Sequence, residues 1–121
     1  MNKHVVLPSN DACKNRPPLV RRPLLQEDEC AQLAALFKVF ANPYRLRLLH
    51  ALARAGEIRV GDLAAALGLK VQAVSNQLQR LADQGFVAAR REGQNMFYRI
   101  INPCVPEILE HGLCLVETTG R

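Results

Sequence analysis

Between Leu63 and Gln84 the chain carries two apolar stripes at helical spacing, interrupted by Gly68. Leu63, Ala64 and Leu67 form a short face, Gly68 stops that helix, and Val74, Leu78 and Leu81 recur at i, i+4 and i+7 to bury a second one. On the opposite side of the second helix, Gln72, Ser75, Asn76 and Gln79 fall at i, i+3, i+4 and i+7. A solvated helix face usually carries Glu and Lys, whereas this one carries uncharged side chains. Gln and Asn can each donate and accept in a bidentate pair with a base edge in a major groove. The stretch therefore predicts a helix-turn-helix with its reading helix second. A polar surface helix without a nucleic-acid role would carry the same stripe, so the flanking sequence has to decide.

With 121 residues, about half of them hydrophobic, the chain supports one domain with a small core. No run of eighteen apolar residues occurs, and Lys3 and His4 precede only Val5, Val6 and Leu7 before Pro8, so neither a membrane span nor a signal peptide is expected. The expected location is the cytoplasm, where Cys13, Cys30, Cys104 and Cys114, dispersed and without a Cys-x-x-Cys pair, read as free thiols. The net charge of +5 is uneven: residues 1–23 hold Lys3, Lys14, Arg16, Arg21 and Arg22 against Asp11. Around the reading helix, Lys70, Arg80, Arg90, Arg91 and Arg99 outnumber Asp83 and Glu92. A basic arm and a basic reading region suit a chain that meets phosphate.

Residues 1–23 include Pro8, Pro17, Pro18 and Pro23 and read as a flexible basic arm, able to touch DNA or carry Cys13 toward a site; residues 24–121 read as the folded domain. An acidic turn (Glu27, Asp28, Glu29) leads into Leu33, Leu36, Phe37 and Phe40, the first helix. Asn42-Pro43 caps a second helix that buries Leu46, Leu48, Leu49 and Leu52 and ends at Gly56. Glu57 to Val60 reads as an extended link, and the third helix starts near Asp62. After Gly85, two short strands around Glu92-Gly93-Gln94-Asn95 predict a β-hairpin, a wing, with Arg90 and Arg91 placed for phosphate or the minor groove and Phe97 and Ile100 packed inward. Asn102-Pro103 starts a last helix in which Val105, Ile108, Leu109, Leu113, Leu115 and Val116 are apolar over much of the circumference; Pro106 fits only a first turn. Such a helix calls for a partner, most simply a second copy of the chain in a two-fold dimer.

The segments Glu57-Ile58-Arg59-Val60-Gly61-Asp62-Leu63, Ala73-Val74-Ser75-Asn76-Gln77-Leu78, Gly85-Phe86-Val87 and Arg91 to Ile100, with Asn42-Pro43-Tyr44-Arg45-Leu46-Arg47-Leu48-Leu49, together resemble the ArsR/SmtB family of metal-sensing bacterial repressors. The resemblance covers about Leu33 to Leu115. It implies a mainly α fold with a β-hairpin wing, a winged helix-turn-helix that is homodimeric through its first and last helices. It also implies a repressor that sits on a palindromic operator and leaves when an inducer binds. By that resemblance Gln72, Ser75, Asn76 and Gln79 read the operator, with Lys70, Arg80, Arg90 and Arg91 on phosphates. Two departures stand out. The family's thiolate positions in the third helix are Arg59 and Gly61 here, and Lys70 replaces the usual Ser or Thr cap of the reading helix.

The family's other metal site lies on the last helix. Cys104, Glu107, His111 and Cys114 lie at i, i+3, i+7 and i+10, near one face of a regular helix. Cys104 and Cys114 are about 15 Å apart along one helix, too far to share an ion, but antiparallel copies would set Cys104 of one chain against Cys114 of the other. Cys30 is the expected third sulfur. Such a site suits thiophilic ions such as arsenite, cadmium, lead or zinc. Two other readings remain: a redox or reactive-sulfur switch through an intersubunit Cys104–Cys114 disulfide, and a winged-helix module for protein contacts. Buried free cysteine is also a common core residue. Scattered His4, His50 and His111 and the absence of a glycine-rich phosphate loop argue against an enzyme or a small-molecule substrate.

Overall fold

The structure is a computed structural model and describes residues 16–120. Most of the arm expected over residues 1–23, Cys13 included, lies outside the described residues. Residues 16–23 are exposed and contain one 3-10 turn, Leu19–Arg21. Five helices follow, α1 (Glu27–Phe40), α2 (Pro43–Ala55), α3 (Val60–Leu67), α4 (Val71–Asp83) and α5 (Cys104–Thr118), with strands β1 (Glu57–Arg59), β2 (Val87–Glu92) and β3 (Asn95–Ile100). Among the described residues no helix is long and apolar enough to cross a membrane.

Local chemistry sets the helix ends. Gln26 and Glu29 form a reciprocal capping box at the start of α1. Asn42 Oδ1 accepts from the Arg45 amide at 3.1 Å, with Pro43 at the first position of α2. Asn102 does similar work one residue further out, its Oδ1 accepting from the Cys104 amide at 2.9 Å. Pro106 falls in the first turn of α5, where its missing donor costs nothing, so the helix starts at Cys104 without delay. Gly68 closes α3 in the left-handed conformation, φ +68°.

The core is a single cluster. Leu48, Leu49 and Leu52 of α2, Leu63 of α3, Val74, Leu78 and Leu81 of α4, and Val87 are almost wholly buried, and Phe40 stacks on Phe86 with ring centroids 4.9 Å apart. Truncating such a leucine to alanine costs about 2–5 kcal/mol. Arg45 adds a polar tie: its Nε donates to Gln77 Oε1 of α4 at 2.8 Å and its Nη1 to the Val39 carbonyl of α1 at 3.3 Å.

Several sequence expectations change. The segment after α2 is a strand, not a link: β1 pairs antiparallel with β3 (Glu57 opposite Arg99, Arg59 opposite Phe97), so the hairpin belongs to a three-stranded sheet in the order β1-β3-β2. Three residues are too few for apolar alternation to reveal a strand. α3 begins at Val60 and holds Asp62 in its first turn, as expected. Leu46 is 38% exposed, because residues 48, 49 and 52 take the inner face of α2. Phe97 lies on the outer face of the sheet, since side chains alternate and the buried neighbour is Tyr98; Ile100 packs on the core as expected. Burial raises the Tyr98 hydroxyl's pKa.

Candidate nucleic-acid interface

The polar stripe of α4 is built by the burial of the helix's other side. With Val74, Leu78 and Leu81 inside, Gln72, Asn76 and Gln79 are exposed and Ser75 half-exposed. Gln72 Nε2 donates to Asn76 Oδ1 at 3.0 Å, one turn apart, which ties the two amides as a pair and leaves the Gln72 oxygen as an acceptor and the Asn76 nitrogen as a donor. Lys70 precedes α4 without a side-chain capping bond, so its ammonium stays in solvent beside the helix start. Arg80 is exposed near the helix end.

An open cleft of about 490 Å3 separates this helix from the wing. Gln72, Ser75 and Gln79 line one side, Arg91, Gln94 and Asn95 the other, and Arg59 and Gly61 the end nearest α3. Glu92 and Asn95 pair across the two-residue tip Gly93-Gln94, where Gly93 takes φ +63° that a side chain would strain. The wing is therefore short and fixed in reach.

The two wing arginines separate. Strand alternation puts Arg91 with Met96 and Tyr98 toward the cleft and Arg90 with Phe97 on the outer face. Arg90 lies over the Phe97 ring, 4.6 Å from its centroid, and pairs with Glu57 at 2.9 Å and Glu92 at 3.1 Å. The hydrogen bond from Arg90 holds the Glu57 carboxyl below its ordinary range, and Glu57 in turn raises the Arg90 pKa. Arg90 thus clamps β2 to β1 across β3, while Arg91 presents its charge to the cleft. At the wing base, Arg59 pairs with Asp62 at 3.0 Å, and that hydrogen bond lowers the Asp62 pKa. Sequence reasoning singled out Arg59 only as a missing thiolate and passed over Gln94 and Asn95. The strand register, invisible before β1 was known, is the signal that places them.

The expected effector residues are spread out. Cys104 is half-buried at the first position of α5 and is disulfide-bonded, against the expectation of a free thiol. Cys30 on α1 and Cys114 on α5 are free and exposed. His111 Nδ1 donates to the Glu107 carbonyl at 2.9 Å, which leaves Nε2 as the ring's acceptor. Among the described residues of one chain, no three His, Cys, Asp or Glu side chains are grouped to hold an ion.

One chain also leaves large apolar side chains open on α1 and on α5. Leu113 and Val116 of α5 are 55% and 49% exposed, and Leu33 and Phe37 of α1 are 43% and 50% exposed.

Comparison with known proteins agrees with this architecture. A MarR family model matches residues 42–95, from the cap of α2 to the start of β3. A transcriptional repressor SmtB homolog of Synechocystis sp. is 38% identical over 108 residues, covering 78% of this chain and 81% of that protein. The regulator NmtR of Mycobacterium tuberculosis is 34% identical over 100 residues, covering 83% and 79%. Among solved structures, the antimony-specific transcriptional repressor AntR is similar with a TM-score of 0.75 and 56% identity over 90% of this chain and 98% of that one. A homodimeric winged helix-turn-helix DNA-binding domain from Mycobacterium bovis has a TM-score of 0.65 and 32% identity over 79% and 91%. With the predicted wing, reading helix and helix order all present, the chain belongs to the ArsR/SmtB family of winged helix-turn-helix transcriptional regulators.

Proposed function

We propose that the protein is a homodimeric repressor that binds double-stranded operator DNA and lets go when a thiophilic metal or metalloid ion binds cysteines of α5 and α1. The observation that carries the DNA half is the Gln72–Asn76 amide pair on an exposed stripe that faces, across the cleft, a wing bearing Arg91. Gln72, Ser75, Asn76 and Gln79 read base edges, and Lys70, Arg80 and Arg91 meet phosphates. Arg90, committed to Glu57 and Glu92, serves DNA chiefly by holding the wing's shape. The exposed apolar faces of α1 and α5 support a two-fold dimer, as does the homodimeric relative.

For the effector, the donor set is soft. The Cys104 disulfide brings a second sulfur to the start of α5, and two sulfurs within bonding reach would, once reduced, form a dithiolate suited to a soft ion. Cys114, Cys30 and the Nε2 of His111 complete the set only across a dimer, because one chain does not group them. The antimony-specific relative adds antimonite to arsenite, cadmium, lead and zinc as ions to be tried. The same disulfide favours a second reading, in which oxidation of Cys104 rather than an ion releases DNA, with Cys114 as the intersubunit alternative.

The test is fluorescence anisotropy of the reduced protein on its own upstream DNA, titrated with each ion under anaerobic reductant, with the Cys13→Ser, Cys30→Ser, Cys104→Ser and Cys114→Ser variants alongside. Release by an ion in the presence of reductant, lost in Cys104→Ser, is the expected result. Release only by oxidant selects the second reading, and no salt-sensitive DNA affinity at all overturns the repressor reading.

A further inference from the structure

The cleft between α4 and the wing holds a cation outside the DNA-contact set named above. Arg59 ends β1 and stands immediately before α3. Its Nε and Nη2 donate to the two oxygens of Asp62, each at 3.0 Å, and its Nη1 donates to Asn95 Oδ1 at the wing base, 3.4 Å away. The guanidinium is thus held from two sides, yet its side chain remains 43% exposed. A guanidinium has five N–H donors, and these bonds leave one on each terminal nitrogen for an outside acceptor.

The place of those donors decides what the acceptor is. When a helix fills the major groove and a wing enters the adjacent minor groove, the phosphates of the strand dividing the two grooves must pass between helix and wing. Here that space is the cleft, and among the described residues lining it the cations are Arg59 and Arg91.

We infer, resting on the DNA-binding reading, that Arg59 binds a backbone phosphate of the strand running through the cleft, aimed by Asn95 and by Asp62, whose negative charge also restrains its grip. The position that the family resemblance reserves for a sensing thiolate then serves DNA affinity in this chain. Asp62 stands close to the proposed phosphate, so removing its charge strengthens binding, whereas a purely structural Arg59–Asp62 clip predicts weakening.

The experiment measures dissociation constants of the full-length protein on its upstream DNA and on a scrambled duplex across a salt series. Arg59→Ala is expected to lose roughly tenfold on both duplexes and to flatten the log–log salt slope by about 0.9 per protomer, with Arg59→Lys keeping the slope. Asp62→Asn is expected to tighten both by roughly threefold. An Arg59→Ala slope equal to wild type overturns the inference, and so does weakening by Asp62→Asn; the latter holds even if Arg59→Ala fails to fold. A wild type without salt-dependent affinity overturns the DNA-binding reading as well, so the two failures are told apart by the unmutated protein.

Discussion

The α4–wing region and the α1–α5 region of this molecule are finished to different degrees. In the first, every strand has its partner, the amides of Gln72 and Asn76 hold each other, and Arg90 is clamped by Glu57 and Glu92. In the second, Leu33, Phe37, Leu113 and Val116 lie open, and the expected effector side chains stay apart. A reading head can be complete in one chain because one half-site is a local target. The proposed effector site, shared between two copies of the chain, cannot, and under that proposal the second region is the one that an ion would reorganise.

The sharpest way to break this contrast is to remove the second copy. Phe37→Glu combined with Leu113→Glu should yield a monomer by sedimentation, with a core still folded by circular dichroism and operator affinity reduced on the order of a hundredfold or more. A double variant that stays dimeric would show that the open faces are not the interface. Next in size, Gln72→Ala should cost about 1–3 kcal/mol on the operator and little on scrambled DNA. Arg91→Ala should weaken both alike, and by more than Arg90→Ala, whose neighbour already satisfies it. Equal losses for the two arginines would erase the distinction drawn between the faces of the wing.

The smallest effect concerns acid. Because Arg90 lowers the Glu57 pKa in the folded protein, the pair's contribution to the wing is fully present above about pH 4.5 and is lost as pH falls through the lowered value. Thermal melting down to about pH 3 should therefore show a slightly smaller acid-side decline for Glu57→Gln than for wild type. Identical declines would mean that Arg90 braces the wing without help from that charge.

Periodicity made α4 and its stripe legible, because thirteen residues with buried Val74, Leu78 and Leu81 leave little choice of face. The Asn42-Pro43 cap and the Gly93 turn were equally readable, each being local chemistry. What escaped was set by pairing at a distance. β1 is recognisable only through β3, and with it went the outward turn of Phe97, the clamp on Arg90 and the placing of Arg59. The state of Cys104 escaped for a like reason, since spacing along a chain does not say which sulfurs meet in space.

The tie from Arg45 to Gln77 bears on the readout proposed for α4. Apolar contacts through Val74, Leu78 and Leu81 are non-directional and tolerate a small roll of the helix about its axis. A 2.8 Å hydrogen bond on its flank does not. Arg45 therefore sets the phase of α4 as well as its position, and because the same guanidinium also holds the Val39 carbonyl, that phase is referenced to the end of α1. Bidentate pairing with a base edge fails at small angular errors, so in the proposed readout by α4 accuracy is set in part by a side chain on the reverse side of the helix, remote from any base.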